Sequence, residues 1–423
     1  MSLPRTLADW LAYLETLHPK AIELGLARVR MVYDRLAIVP DCPVVTVGGT
    51  NGKGSTSAFV ERMLACAGYR VGLYTSPHLL RYNERVRIAG REASEAELCT
   101  AFGAVEAVRQ DTPLTYFEFG TLAALWLFAR ERPDAMVLEV GLGGRLDAVN
   151  IVDPDVAIVT TVAIDHVDYL GATREAIGFE KAGIFRGGHV AVCGDLDPPA
   201  TLPEHARAIG ALLLRRGVDF DCIAERAQWR YRGPGGARHG LPHPALRGRH
   251  QLANAAAALT ALDALRERLP VNMGAVREAL VSIELPGRFQ VLPGRPTIVL
   301  DVAHNTEAAR ALAESLQAMS FHPQTVAVFG ILRDKDIDGV IAAVRSRVDR
   351  WFVATLPPPR GATAALVRER LEAVGIAPEA IRSFDAPDDA YRAARENLPE
   401  ADRIVVFGSF LTVAAALSPP CYV

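Results

Sequence analysis

The stretch Gly48-Gly49-Thr50-Asn51-Gly52-Lys53-Gly54-Ser55-Thr56 constrains this chain more than any other. It follows Pro43-Val44-Val45-Thr46-Val47, an apolar, β-branched run that reads as a buried strand, and it opens a helical stretch from about Ser55. Glycines let the backbone curl so that successive N–H groups point at one anion. The helix N-terminus adds a favourable field, and Lys53 adds a full charge. Strand, glycine loop and helix in that order begin a parallel α/β sheet. Asn51, Gly52, Lys53, Gly54 and Ser55 would line a phosphate, and Ser55 or Thr56 could present a hydroxyl to magnesium. The strict P-loop pattern is not met, because one residue is missing before Gly52 and Gly54 stands where Ser or Thr should follow the lysine. The alternative is a tight turn that binds nothing, and the flanking strand and helix argue against it.

The rest of the chain continues the rhythm. Leu7, Trp10, Leu11, Leu14 and Leu17 mark an opening amphipathic helix. Buried strands are expected at 71–75, 135–140 and 156–162, with helices at 94–109 and 117–130 as crossovers. From 186 to 246 the pattern weakens into short strands and turns, until an alanine-rich helix at 250–269 restores it. Residues 286–296 hold three prolines and two glycines and read as a linker. Strands at 297–302, 325–330, 351–355 and 403–407 then alternate with helices. A chain of 423 residues is also long for one core. The expected fold class is therefore α/β with two domains. The N-terminal domain, residues 1–287, is a P-loop-type, mostly parallel sheet flanked by helices; a linker covers 288–296; a smaller Rossmann-like α/β domain covers 297–423.

Composition excludes some functions. A net charge of −3 and a pI near 6.4, with basic residues interspersed, give no footprint for nucleic acid. Six cysteines (Cys42, Cys66, Cys99, Cys193, Cys222, Cys421) lie far apart without metal spacing and suit a reducing cytoplasm. Residues 1–10 carry acid and base where a signal peptide would be apolar. Ile404 to Val423 lacks charge, but Gly408-Ser409 interrupts it and Pro419-Pro420 ends it, so a strand, a turn and a short helix are expected rather than a membrane span.

Four side chains could serve chemistry, three of them near strand ends, where open sheets bind ligands. Ser76, in Thr75-Ser76-Pro77-His78-Leu79, could give magnesium an oxygen, or be a turn or capping serine. Glu139 ends an otherwise uncharged strand, where a carboxylate needs a cation or several donors; a buried salt bridge would also suffice. His166 follows Asp165 at another strand end, and histidine is an unusual magnesium ligand. Lys181 lies in a helix at 173–185 and, read alone, is a lysine paired with a carboxylate.

Together these motifs resemble one family. The phosphate loop, Ser76-Pro77-His78-Leu79, Glu84-Arg85, Thr115-Tyr116-Phe117-Glu118, Glu139 to Ala148, Asp165-His166, Leu170-Gly171, Glu180 to Ile184 and Asp301-Val302-Ala303-His304-Asn305 occur in the order of bacterial dihydrofolate synthase/folylpolyglutamate synthases, the folate branch of the Mur ligase superfamily. The likeness runs from about Ile22 to Phe410. It implies that ATP is co-substrate and that two magnesium ions bind, one through Ser76 and Glu139, the other through Glu139 and His166. It also implies a carbamate on Lys181. Lys53, Lys181 and His304 would be catalytic; Asn254, Arg288 and Asp301 would contact the nucleotide. Ile22, Glu23, Thr115, Tyr116, Phe117, Glu118, Leu146, Asp147 and Ala148 would hold the pterin. Without the resemblance, Asn254, Arg288 and Asp301 read as a packing asparagine, a linker arginine and a strand-end acid.

The implied activity is ligation of L-glutamate to dihydropteroate and to reduced folates through an acyl phosphate, by a cytoplasmic monomer whose second domain closes over the first. Two rivals stand beside it. A Mur-type ligase acting on a UDP-linked peptidoglycan precursor usually carries a UDP-binding domain before the phosphate loop, and fewer than fifty residues precede Gly49 here. A non-catalytic ATP-binding switch would need the loop but not Glu139, His166 and Lys181 together.

Overall fold

The computed structural model describes residues 4–20 and 22–418; Pro419-Pro420 and Cys421 lie outside them. The chain forms two compact units. Among the described residues, one contains those up to His243 and Leu252–Ile283, the other Pro244–Gln251 and those from Glu284.

The N-terminal unit is built on an eight-stranded sheet. Its strands are β1 (Val44–Gly48), β2 (Val71–Tyr74), β3 (Val86–Ile88), β4 (Arg91–Glu92), β5 (Ala135–Glu139), β6 (Val156–Val159), β7 (Val190–Cys193) and β8 (Leu212–Arg215), in the spatial order β4-β3-β2-β5-β1-β6-β7-β8. From β2 to β8 neighbours run parallel, while β3 and β4 turn back as an antiparallel margin. β1, β2, β5 and β6 are buried at every residue, so both faces are covered and apolar side chains are needed on each. Phe59, Leu64, Phe119 and Phe128 supply part of that cover from helices Lys53–Cys66 and Tyr116–Glu131. The chain leaves β1 toward β2 but leaves β6 toward β7 on the other side. The loops after β1 and β6 therefore diverge at a topological switch, where open α/β sheets bind ligands.

A three-stranded antiparallel sheet follows, β9 (Asp221–Ala224), β10 (Gln228–Gly233) and β11 (Gly236–Pro242). It is fastened to helix His250–Ala264 through buried Asp263, which accepts from the Tyr231 hydroxyl at 3.0 Å and pairs with Arg238.

The C-terminal unit has a six-stranded sheet of β12 (Gln290–Leu292), β13 (Thr297–Leu300), β14 (Thr325–Phe329), β15 (Arg350–Ala354), β16 (Ile381–Phe384) and β17 (Arg403–Phe407), ordered β12-β13-β17-β14-β15-β16. All neighbours are parallel except β12 and β13. β12 lies inside the stretch read as a linker, where Gln290–Leu292 pair with β13 at the margin of the second sheet. Phe329 stacks on Phe407 at 4.7 Å in its core. The described part of the uncharged C-terminal stretch lies in strand β17 and helix Phe410–Leu417, and no described helix is long and apolar enough to cross a membrane. The five described cysteines are free thiols.

Candidate functional site

The phosphate loop is laced to the loop after β6. Thr50 N–H donates to Thr161 O at 2.8 Å, and Ala163 N–H donates to the Thr50 hydroxyl oxygen at 3.0 Å. Asn51 N–H donates to the Thr161 hydroxyl at 3.2 Å, and the Thr160 hydroxyl donates to Asn51 O at 2.6 Å. Gly49 has φ +139°, and a Cβ there would lie 1.9 Å from Thr160 Oγ1; only glycine fits. Gly52, at φ +85°, caps helix Lys53–Cys66 with its backbone turned left-handed and with Asn254 packed against it. Asn254 is thus at the loop. Lys53 Nζ donates to the carbonyls of Gly49 and Thr50 at 3.1 and 3.2 Å, so the cation is held over its own loop. Gly54 and Ser55 lie in the first turn that follows.

β2 and β5 end beside this loop. Glu139 is the last residue of β5, opposite Val47, and is 4% exposed. Its Oε2 accepts the Ser76 N–H at 3.2 Å, which brings these two expected metal residues together. The turn behind Ser76 is fixed by Glu84, whose carboxylate accepts the N–H groups of Leu79, Leu80 and Arg81. His166 leaves the opposite side of the switch in the left-handed region, φ +52°, where it starts the short helix Val167–Leu170. Among the described residues no three or more His, Cys, Asp or Glu are grouped to hold a metal.

Lys181 is 3% exposed in the last turn of helix Arg174–Ala182. That helix docks on the turn after β5: Arg145 N–H donates to Glu180 O at 2.8 Å, the Arg145 guanidinium grips the Glu180 carboxylate, and Asn150 ties Arg145 O to Gly183 O. Burial and then the charge of Lys53 lower the Lys181 pKa to about 7, while Asp165 and Asp147 oppose the shift. Asp147 is the reciprocal case. Burial raises its carboxyl to about 7, and its oxygens accept Leu142 and Val149 N–H at 2.8 and 3.0 Å. Asp147, expected as a pterin contact, also shapes the turn that carries Leu146 and Ala148.

The other expected pterin residues lie on two segments, each with one contact to that turn. Gly25 N–H donates to Leu146 O at 3.3 Å, which brings the segment Ile22–Gly25 onto it. The Phe117 ring lies over Gly141, where a Cβ would come within 2.6 Å of it. Thr115 and Glu118 form a capping box that starts helix Tyr116–Glu131, an arrangement that contributes about 1 kcal/mol. Tyr116 packs edge-on against Tyr82, beneath the Arg85 guanidinium. Glu23 is taken up locally by His18, at 3.0 Å.

The C-terminal unit carries its own cluster. Asp301 follows β13 and accepts the N–H groups of Phe289 and Ala303 at 2.9 and 2.8 Å; burial raises its carboxyl to about 6. Arg288 lies over the Phe410 ring at 5.2 Å, and the His304 ring is near the same phenyl. His250 joins this set, its imidazole lowered to about 4 by burial and by Arg288.

Sequence reasoning missed Thr160, Thr161 and Arg28. The threonines carried a signal, a polar pair ending an apolar strand opposite the phosphate loop; Arg28 had none.

Residues 47–206 match the Mur ligase middle domain and residues 287–410 the Mur ligase glutamate ligase domain. The dihydrofolate synthase/folylpolyglutamate synthase of Escherichia coli K12 is 47% identical over 409 residues, 96% of this chain and 94% of that protein. The folylpolyglutamate synthase of Lacticaseibacillus casei is 33% identical over 88% of each chain. Among solved structures, E. coli FolC in complex with DHPP and ADP superimposes with a TM-score of 0.92 at 46% identity, covering 98% of this chain and 97% of the other. A bifunctional folylpolyglutamate synthase/dihydrofolate synthase with Mn, AMPPNP and L-glutamate bound gives 0.90 at 47%, covering 98% and 97%.

Proposed function

This chain belongs to the dihydrofolate synthase/folylpolyglutamate synthase family of Mur ligases, and we propose that it is an ATP-dependent ligase joining L-glutamate to dihydropteroate and to reduced folates. What supports the reading most is a single juxtaposition. The laced phosphate loop, buried Lys181 and the Asp147 turn share one edge of the sheet, and the segments Ile22–Gly25 and Thr115–Glu118 join that turn.

A carboxylate is a poor electrophile, so ligation to an amine must begin by activating it. The γ-phosphoryl group of ATP passes to the substrate carboxylate, giving an acyl phosphate and ADP. Glutamate's amine attacks the acyl carbon, loses a proton, and phosphate leaves from the tetrahedral adduct. Loop N–H groups from Asn51 to Ser55 and Lys53 bind and orient the phosphates; Asn254, Arg288 and Asp301 serve the nucleotide, and His304 serves the reacting centre. Magnesium, when bound, neutralises phosphate charge. Ser76 and Glu139 would hold one such ion and Glu139 and His166 a second; the burial of Glu139 supports the reading, since a strand-end carboxylate this enclosed needs compensating charge. Lys181 as a carbamate adds an anionic oxygen pair beside Lys53. Its lowered pKa favours that modification, because only the neutral amine attacks carbon dioxide. Ile22, Glu23, Thr115, Tyr116, Phe117, Glu118, Leu146, Asp147 and Ala148 frame the pterin. Cytoplasmic location and a monomeric state complete the reading.

The test is side-by-side incubation with ATP, magnesium, glutamate and one of three acids: dihydropteroate, a reduced folate, or a UDP-muramyl peptide. Phosphate release is expected with the first two. Release with only one of them refutes bifunctionality, and release with the peptide alone refutes the folate reading.

A further inference from the structure

Arg28 stands where a cation does least for its own helix. It lies in the first turn of helix Ala27–Leu36, whose N-terminus has no side-chain cap and whose dipole disfavours positive charge there. Its partners explain the position. Arg28 Nε donates to Glu118 Oε2 at 2.9 Å, one terminal nitrogen donates to Glu23 O, and the other lies 3.8 Å from the Glu23 carboxylate. A planar fork spans those groups at once; a point charge on a flexible stem does not.

Glu118 depends on this contact. It is 3% exposed, its Oε2 also accepts the Thr115 N–H at 2.8 Å, and its Oε1 is enclosed with no hydrogen-bond partner among the described residues. A buried carboxylate stripped of its counter-ion is strongly unfavourable. The same arginine therefore satisfies the start of helix Tyr116–Glu131 and pins the carbonyl of Glu23. One backbone bond, Gly25 N–H to Leu146 O, closes the circuit to the Asp147 turn. The stretches 22–25, 115–118 and 146–148 come from distant parts of the sequence, and Arg28 links two of them directly.

Resting on the reading above, we propose that Arg28 is a positioning residue for the pterin-bearing acid. It locks the segment Ile22–Gly25 onto the N-terminus of helix Tyr116–Glu131 and fixes the frame around the ring without touching it. The nucleotide loop, held by its own bonds to residues 160–163, is independent of this lock.

Dissociation constants for dihydropteroate and for ADP, measured by calorimetry on the full chain, test it. Arg28→Met is expected to weaken dihydropteroate at least tenfold and ADP less than twofold. Arg28→Lys, whose ammonium reaches Glu118 or Glu23 but not both, should fall between, at roughly threefold. Unchanged dihydropteroate affinity in either variant overturns the proposal, and so does a parallel loss of both ligands, which would mark general destabilisation. If Arg28→Met fails to fold, Arg28→Lys decides by the same ligand-specific split. A wild-type chain that binds ADP but not dihydropteroate would sink the functional reading itself, an outcome seen before any variant is made.

Discussion

Lys181 offers the sharpest quantitative test. A lysine at its ordinary pKa of 10.5 is neutral to roughly one part in a thousand at pH 7.5, whereas one lowered to about 7 is neutral to roughly three quarters. Burial therefore raises the nucleophilic form several hundredfold. The sign is fixed: the folded protein penalises the ammonium, so the proton leaves as pH rises through about 7. Carbamate formation consumes the neutral amine and releases a proton. At constant dissolved carbon dioxide, the modified fraction should thus grow steeply from pH 6 to pH 8. The perturbation is to strip carbon dioxide at pH 6 and restore ¹³C-labelled bicarbonate at pH 6, 7 and 8. Glutamate-dependent phosphate release should recover least at pH 6, in step with a carbamate signal in ¹³C NMR. Lys181→Ala should show no signal and lose about a thousandfold in kcat/KM, equivalent to about 4 kcal/mol of transition-state stabilisation. Activity indifferent to carbon dioxide across this range, together with an active Lys181→Ala protein, would refute the reasoning.

Three further outcomes are expected. Gly49→Ala forces a Cβ into Thr160 at a positive φ, so it should cost about 2–3 kcal/mol and abolish ADP binding, as read by Tm and calorimetry. Thr160→Val keeps the shape but removes the donor to Asn51 O; ADP affinity should drop about five- to tenfold, near the 1 kcal/mol of a typical hydrogen bond. Glu139→Gln preserves an acceptor for Ser76 N–H but not the charge, so Mn²⁺ affinity by EPR titration should weaken at least tenfold while Tm holds or rises, the carboxylate being buried.

The parts most readable in the sequence were those with local causes. Val44–Val47 before a glycine run can be little but a covered strand feeding a phosphate loop, and the second α/β rhythm after residue 296 is equally plain. Residues 221–242 were harder. Strands as short as Asp221–Ala224, with many polar residues, give weak alternation, and what organises them is Asp263, far along the chain. β12 hid among prolines because an edge strand needs only three residues paired on one side. At the site, the resemblance rather than spacing nominated the candidate residues, and neither gave their company. Asp147 could be singled out by resemblance, but nothing in its spacing showed that its oxygens also accept the N–H groups of Leu142 and Val149. Arg28 looks like any solvated charge on an amphipathic helix, because its meaning lies in Glu118, ninety residues away.

The bonds between residues 49–51 and 160–163 carry a lesson for anyone moving this machinery elsewhere. Neither stretch owns its conformation. A chimera that transplants the glycine segment alone would inherit the letters without the shape, while one that carries both stretches on adjacent strands would keep the socket and the approach to His166 as one piece.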